Sequence, residues 1–248
     1  LIVDEVRQMG LKVAPLDINE SDALYRVEDN GSAVRIALST ITKISDGEVA
    51  SIIAGRPYID LTDFVRRSGA SAPVTESAIL TGAFDRLHID VNRRDLLLHF
   101  SDLQKSPNAG VTGAQMNLAF APPVLMSSGL PDMSPAEIVQ HEIARLGIDM
   151  SEHLVSFYSD FLNSIGAVRS CDLLAQRSRS SVLVAGIKVA MQTPPVRSGK
   201  RVIFVSLDDG YGCSDSTFFS DAQTDYASTL YSSSLLLIRG ITRRTGAR

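Results

Sequence analysis

Few residues of this 248-residue chain stand at spacings that could support catalysis. His141 opens the stretch HEIAR, which starts like a zinc-protease motif, but Arg145 stands where the second histidine is needed. Asp208 and Asp209 could hold a divalent cation as a carboxylate pair. Because Gly, Tyr and Gly follow them, a turn at the end of a strand is the preferred interpretation. The sequence therefore predicts neither an active site nor a metal site.

Basic residues are concentrated in two windows, although the net charge of the chain is −4. Residues 176–205 and 239–248 contain basic side chains and no acidic ones. In a small β module, such a charge distribution favours a groove for single-stranded nucleic acid, because basic side chains follow the phosphate backbone. The candidate contacts are Lys188, Arg197, Lys200, Arg201, Arg243 and Arg244.

Aromatic residues in the same module are candidate stacking platforms for bases. They are Phe204, Tyr211, Phe218, Phe219 and Tyr231. The alternative interpretation places Phe204 and one of Phe218 and Phe219 in the core. It also makes the loop PPVRSGKR, residues 194–201, a solvated hairpin tip.

The elements that must position these residues follow from hydrophobic periodicity and turn signals. Residues 24–38 predict a β-hairpin with an Asn30-Gly31 turn, and residues 39–100 predict short helices. A stretch rich in proline and glycine, 105–135, predicts a linker. Ser134 and Glu137 form a capping-box pattern that begins a further helix, and two more short helices follow before residue 181. From there the pattern predicts four strands, with a short helix between the third and the fourth.

The composition indicates the cellular compartment in which the protein acts. A hydrophobic content of 44% supports a sizeable core, and the chain contains no run of eighteen apolar residues that would predict a membrane helix. The two cysteines, Cys171 and Cys213, form no CxxC pair. A disulfide framework is therefore not indicated, and we expect a cytoplasmic protein that does not bind membranes.

Three stretches resemble a known family. GLKVAPLDINESD at 10–22, TGAFD at 81–85 and KVAMQTPPVRSGKRVIFVSLDD at 188–209 resemble the bacterial DNA polymerase III alpha subunits, and most closely the error-prone alpha-like polymerases of actinobacteria. The resemblance implies a multi-domain α + β chain in which helix-hairpin-helix and helical segments precede an OB-fold-like antiparallel β-barrel. It implies the end of the polymerase fingers at 1–22, a helix-hairpin-helix region at 23–104, a linker at 105–133, a helical segment at 134–178 and the barrel, cut short at its end, at 179–248.

The resemblance also implies what this chain does not do alone. In the family, the palm domain and its metal-binding carboxylates lie upstream of these segments. We therefore expect no polymerase activity from the chain by itself. It should need no cofactor, since Mg²⁺ would be needed only by the palm.

The hairpin turn TKISDGEV departs from the family pattern, which carries two glycines whose N–H groups meet a DNA phosphate. Here Gly47 is the single glycine, Asp46 adds a negative charge, and Lys43 remains as a basic residue. The resemblance makes Lys43 and Gly47 candidate DNA contacts. The alternative is a hairpin that serves packing alone.

The stretch QMNLAF at 115–120 resembles the short peptides with which bacterial polymerases bind their sliding clamp. The resemblance implies that Gln115 presents its amide while Leu118 and Phe120 fill apolar pockets. The alternative is a loop whose Leu118 and Phe120 pack on the chain's own helices.

The residues and the resemblance together predict a DNA-binding portion of a bacterial polymerase. It would hold duplex and single-stranded template DNA during replication or damage-tolerant repair, with the clamp and other replication or mutagenesis proteins as partners. The alternative is an interaction module whose barrel and linker bind replisome proteins and not DNA. Whether the parent enzyme is replicative or error-prone is left open.

Overall fold

The computed structural model of the chain describes residues 2–105, 124–194 and 201–243. The chain folds into two compact units, Leu1–Glu152 and His153–Arg248, and each is described by itself. Within the described ranges, every helix is too short or too polar to cross a lipid bilayer.

The first unit begins with helix α1 (Ile2–Gln8) and a small three-stranded sheet of β1 (Lys12–Ala14), β2 (Arg26–Glu28) and β3 (Ala33–Arg35). The strands stand in the order β1-β3-β2, with β2 antiparallel and β1 parallel to β3. The predicted hairpin is confirmed, but residues 29–32 connect its strands in place of a two-residue turn. Its turn places Asn30 at φ 55°, a left-handed conformation that asparagine tolerates better than most residues.

Five helices complete the first unit: α2 (Asp46–Ala54), α3 (Leu61–Arg67), α4 (Ala72–Leu80), α5 (Arg93–Lys105) and α6 (Pro135–Leu146). Side-chain oxygens cap the starts of three of them. Ser45 and Ser134 form capping boxes with Glu48 and Glu137, and Asp60 accepts from the N–H of Asp63. The capping box predicted at Ser134 is therefore confirmed.

The core of the first unit forms around three buried aromatic rings. Phe64 meets Tyr58 and Phe84 edge to face, with ring centroids 5.0 and 5.1 Å apart. Glu142, from the HEIAR stretch, is also buried here and accepts hydrogen bonds from the N–H groups of Met150 (2.7 Å) and Ser151 (2.8 Å). Its carboxylate thus anchors the segment that follows α6.

The second unit begins with three short pieces of helix where the sequence predicts two short helices. Two 3₁₀ helices, Leu154–Tyr158 and Ser170–Ala175, flank the six-residue α7 (Ser159–Ser164). Gly166, at φ 72°, ends the helical path after α7. The backbone then crosses onto the sheet, where the N–H of Val168 donates to the Leu183 carbonyl at 2.7 Å.

A four-stranded antiparallel sheet forms the body of the second unit. Its elements are β4 (Ser181–Gln192), β5 (Ile203–Asp208), β6 (Cys213–Phe218), helix α8 (Ser220–Ser232) and β7 (Leu235–Ile241). The sheet order is β6-β5-β4-β7, which confirms the four predicted strands with a helix before the last one.

The long strand β4 gives the sheet its curl. Its first half pairs with β7 and its second half with β5, and the register shifts between Lys188 and Ala190. Gly186 stands at the crossing, where a Cβ would come within 2.7 Å of the Asp208 carbonyl oxygen. Bulges and strand glycines bend sheets in this way. The result is a half-barrel consistent with the expected OB-like fold.

Candidate nucleic-acid interface

The outer face of strands β5 and β6 carries an exposed aromatic ring. Ile203, Val205 and Leu207 are buried, so the period-2 alternation of β5 turns Phe204 outward, with 42% of its surface exposed. The interpretation of Phe204 as a core residue is therefore wrong. Phe218 packs against the core of this unit instead. In OB-folds the face of strands two and three, which correspond to β5 and β6, binds oligonucleotides.

Four exposed arginines lie on the two segments that meet where β4 begins and β7 ends; we call this group the arginine end. Thr242 ties the two segments together. Its hydroxyl donates to the Arg177 carbonyl at 2.6 Å, and its own carbonyl accepts from the N–H of Arg179 at 2.8 Å. The members of the arginine end are Arg177, Arg179, Arg239 and Arg243.

The arginine end is positively charged because no carboxylate neutralises it within the described part of the chain. None of the four guanidinium groups has an ion pair there. Only Arg243 was singled out from the sequence, and the other three were missed. The signal was present as two acid-free windows, but the pairing of the start of β4 with the end of β7 is what joins them.

The remaining sequence-predicted DNA contacts have different surroundings. The ammonium group of Lys188 donates to the Leu230 carbonyl near the C-terminal end of α8, where a cation is favourable to the helix dipole. Arg201 is exposed. Arg197, Lys200 and Arg244 lie outside the described residues, as do Gln115, Leu118 and Phe120 of the clamp-binding stretch. The DNA-contact and clamp roles of these residues stay predictions.

In the turn TKISDGEV, at residues 42–49, the left-handed backbone conformation falls on Lys43, with φ 68°, and not on Gly47. Gly47 lies in the first turn of α2, behind the N-cap Ser45. The N–H groups of Asp46 and Gly47 have no acceptor within residues 2–105, 124–194 and 201–243. Lys43 and these two amides could therefore meet one phosphate at the start of α2.

The carboxylate of Glu48 lies in this same turn and is held there by hydrogen bonds. Glu48 accepts hydrogen bonds from the N–H groups of Ser71 (2.9 Å) and Ser45 (3.0 Å). Hydrogen bonds from these two serines lower the pKa of Glu48 to about 2, so it remains charged at neutral pH. Its charge and that of Asp46 oppose an approaching phosphate, so the hairpin is electrostatically less favourable to DNA than the arginine end.

Comparison with known proteins finds a matching family model and related sequences. A family model described as a helix-hairpin-helix motif matches residues 10–96. The error-prone DNA polymerase of Symbiobacterium thermophilum is 28% identical over 92% of this chain and 25% of its own length. The DNA polymerase III subunit alpha of Pasteurella multocida is 29% identical over 96% of this chain and 22% of its own length. The chain is homologous to these bacterial DNA polymerases.

The homology confirms the resemblance predicted from the sequence. The chain spans about a quarter of the length of these curated relatives. The error-prone DNA polymerase of Corynebacterium diphtheriae is also 28% identical, over 85% of this chain and 19% of its own length. Relatives named error-prone DNA polymerase and DNA polymerase III subunit alpha thus match at nearly the same identity, which does not assign this chain to either group.

Proposed function

We propose that this chain is a DNA-binding portion of a bacterial DNA polymerase and that its OB-like unit holds single-stranded template. The arginine end is the observation that carries the proposal. Four cations without carboxylate partners attract a phosphate backbone through counterion release, a term that does not depend on base sequence. Exposed Phe204, on the outer face of the sheet, would stack a base.

The proposal includes a second contact with DNA in the first unit. There Lys43 and the N–H groups of Asp46 and Gly47 would meet a phosphate of the duplex. Because Glu48 and Asp46 add negative charge, we expect this contact to be weaker than that of the arginine end. The parent enzyme would act in the bacterial cytoplasm, in replication or damage-tolerant repair.

Titration of a fluorescently labelled single-stranded oligonucleotide tests the proposal, with anisotropy as the readout over a series of salt concentrations. The double variant Arg177→Gln/Arg239→Gln should lower the slope of log K against log salt by about 1.4, since each phosphate contact on a single strand contributes about 0.7. The matched control Lys12→Gln/Arg66→Gln removes two exposed charges from the first unit and should leave the slope unchanged.

Two results would contradict the proposal. One is the absence of oligonucleotide binding at low salt, which would favour the protein-interaction alternative. The other is an equal salt slope for the wild type and the arginine variant. Chelation of divalent cations with EDTA should leave binding intact, because the proposed contacts join protein groups directly to phosphates and bases.

A separate proposal concerns residues 115–120, which resemble a clamp-binding peptide. We infer from that resemblance that they bind a sliding clamp through Gln115, Leu118 and Phe120. In a pull-down with purified clamp, Gln115→Ala and Leu118→Ala should each reduce retention, whereas Asn117→Ala should not. Equal retention of the wild type and all variants would refute clamp binding without affecting the DNA proposal.

A further inference from the structure

A cleft of about 260 Å³ opens in the second unit, apart from the arginine end. It is lined by the segment 153–169, by Ala185 of β4 and by the turn 209–211 that joins β5 to β6. Sites for drug-sized ligands occupy about 300–1,000 Å³, so this cleft suits a single small ring system. Its apolar wall comes from Val155, Leu162, Val168 and Ala185.

An aromatic ring and a guanidinium group form one edge of the cleft. The guanidinium carbon of Arg169 lies 4.6 Å from the ring centroid of Tyr211, a cation–π distance. Tyr211 nevertheless keeps 55% of its surface exposed. Flat aromatic and guanidinium surfaces are the side-chain groups on which unpaired nucleobases stack.

Asp209 holds this pair in place. Its carboxylate accepts from the N–H of Tyr211 at 3.0 Å, and from the N–H and the hydroxyl of Ser170 at 2.7 and 2.6 Å. The turn that carries Tyr211 is thereby tied to the residue that follows Arg169. An exposed aromatic side chain fixed in this way loses little conformational entropy when a ligand stacks on it.

Within the cleft, Arg169 is the group suited to a phosphate. The Asp209 carboxylate is already satisfied by three hydrogen bonds, whereas Arg169 has no ion pair among the residues that the structure describes. The amide of Asn163, also in the lining, has no hydrogen-bond partner there. A planar group with hydrogen-bonding edges and an attached phosphate matches these features.

The cleft and the arginine end lie along the same strand. Ser181 pairs with Ile241 beside the arginine end, and Ala185, four residues further along β4, lines the cleft. Four residues of strand span about 13 Å, which equals about four nucleotides at 3.4 Å each in a stacked strand.

We propose that this cleft binds one unpaired nucleobase of the strand held by the arginine end, stacked on the Tyr211–Arg169 pair. The inference rests on the proposed function of the unit as a single-strand binder. Arg169 would also neutralise the adjacent phosphate, and Asn163 would contact the edge of the base.

A series of labelled oligonucleotides, each with an abasic site at a different position, tests this inference with the full protein chain. Tyr211→Ala should weaken binding of the intact oligonucleotide by about 5- to 150-fold, the equivalent of about 1–3 kcal/mol for one stacked base. At one position the abasic substitution should weaken binding to the wild type but cause no further loss in Tyr211→Ala. Tyr211→Phe keeps the stacking surface and should bind like the wild type.

The control is Tyr226→Ala, which removes an equally exposed tyrosine from α8 and should leave both the affinity and the abasic pattern unchanged. The base-binding cleft is refuted if the intact oligonucleotide binds tightly but Tyr211→Ala lowers the affinity by the same factor for every abasic oligonucleotide as for the intact one. The proposed function would still stand. If no oligonucleotide binds to the wild type, both are refuted.

Discussion

Gly210 is a position at which a single added methyl group should damage the second unit for two separate reasons. Its φ is +84°, and a Cβ there would lie 2.9 Å from Cγ and 3.1 Å from Cβ of His153. The Cβ atom of His153 is fixed by the backbone, so it cannot rotate away as a side-chain tip can. Its Nδ1 also accepts from the N–H of Val155 at 3.2 Å, which caps the following 3₁₀ helix.

The cost of Gly210→Ala has two parts. A left-handed conformation costs an L-residue about 1–2 kcal/mol. Overpacking against a fixed neighbour costs about 1–3 kcal/mol more. The variant should therefore lower the free energy of unfolding of this unit by about 2–5 kcal/mol. Because the turn 209–211 carries Tyr211, binding of single strands should weaken as well.

Native-state hydrogen exchange followed by mass spectrometry measures this cost in peptides from β5 and β6 within the full chain. Gly166→Ala is the matched control, because Gly166 has φ +72° but no atom within 4 Å of its Cβ position. It should cost only the backbone part, about 1–2 kcal/mol. In the double variant with His153→Ala, the overpacking part should become smaller, because Cγ is removed while Cβ, 3.1 Å away, remains. Equal costs for the two glycine variants, or strict additivity with His153→Ala, would refute this reasoning.

Two further predictions concern the first unit. Lys43→Gly should raise its free energy of unfolding by up to about 1 kcal/mol, since relief of the left-handed strain exceeds the added entropy of the unfolded chain; an unchanged or lower urea midpoint would contradict this. Hydrogen bonds from Arg35 and Arg26 lower the pKa of Glu28 to about 2. Because the folded-state pKa lies below the unfolded one, ionised Glu28 stabilises the folded state above about pH 4.5, and this stabilisation is lost as the pH falls towards 2. Solvent screening limits it to roughly 1 kcal/mol, and Glu28→Gln should remove it from an acid-unfolding profile.

Local signals in the sequence predicted most elements. The Asn30-Gly31 turn, the Ser134 capping box and the alternating strands after residue 181 all appear where the pattern indicated them. These features depend on neighbours a few residues away, so their physics is contained in short windows of sequence. The segment 153–175 is the exception, because its apolar residues suit a helix while the contacts of its backbone with the sheet divide it into short turns.

The direction of Phe204 was not readable from composition, because a phenylalanine in a strand suits either face. Its exposure follows from the register of β5, in which Ile203, Val205 and Leu207 face the core and Phe204 therefore faces outward. Likewise, the turn after β5 suggested a strand end but not that Asp209 would join Tyr211 to the Arg169 segment 39 residues earlier.

The sequence by itself determined the types and order of the elements, the family resemblance and the two acid-free windows. Only the tertiary structure decided which of those charges act together. Arg177 and Thr242 are 65 residues apart, yet one hydrogen bond joins them. Such a contact depends on the pairing of β4 with β7, and strand register is set by burial of one face across the whole sheet. The candidate interface is therefore a product of sheet topology, since no single stretch of the sequence contains it.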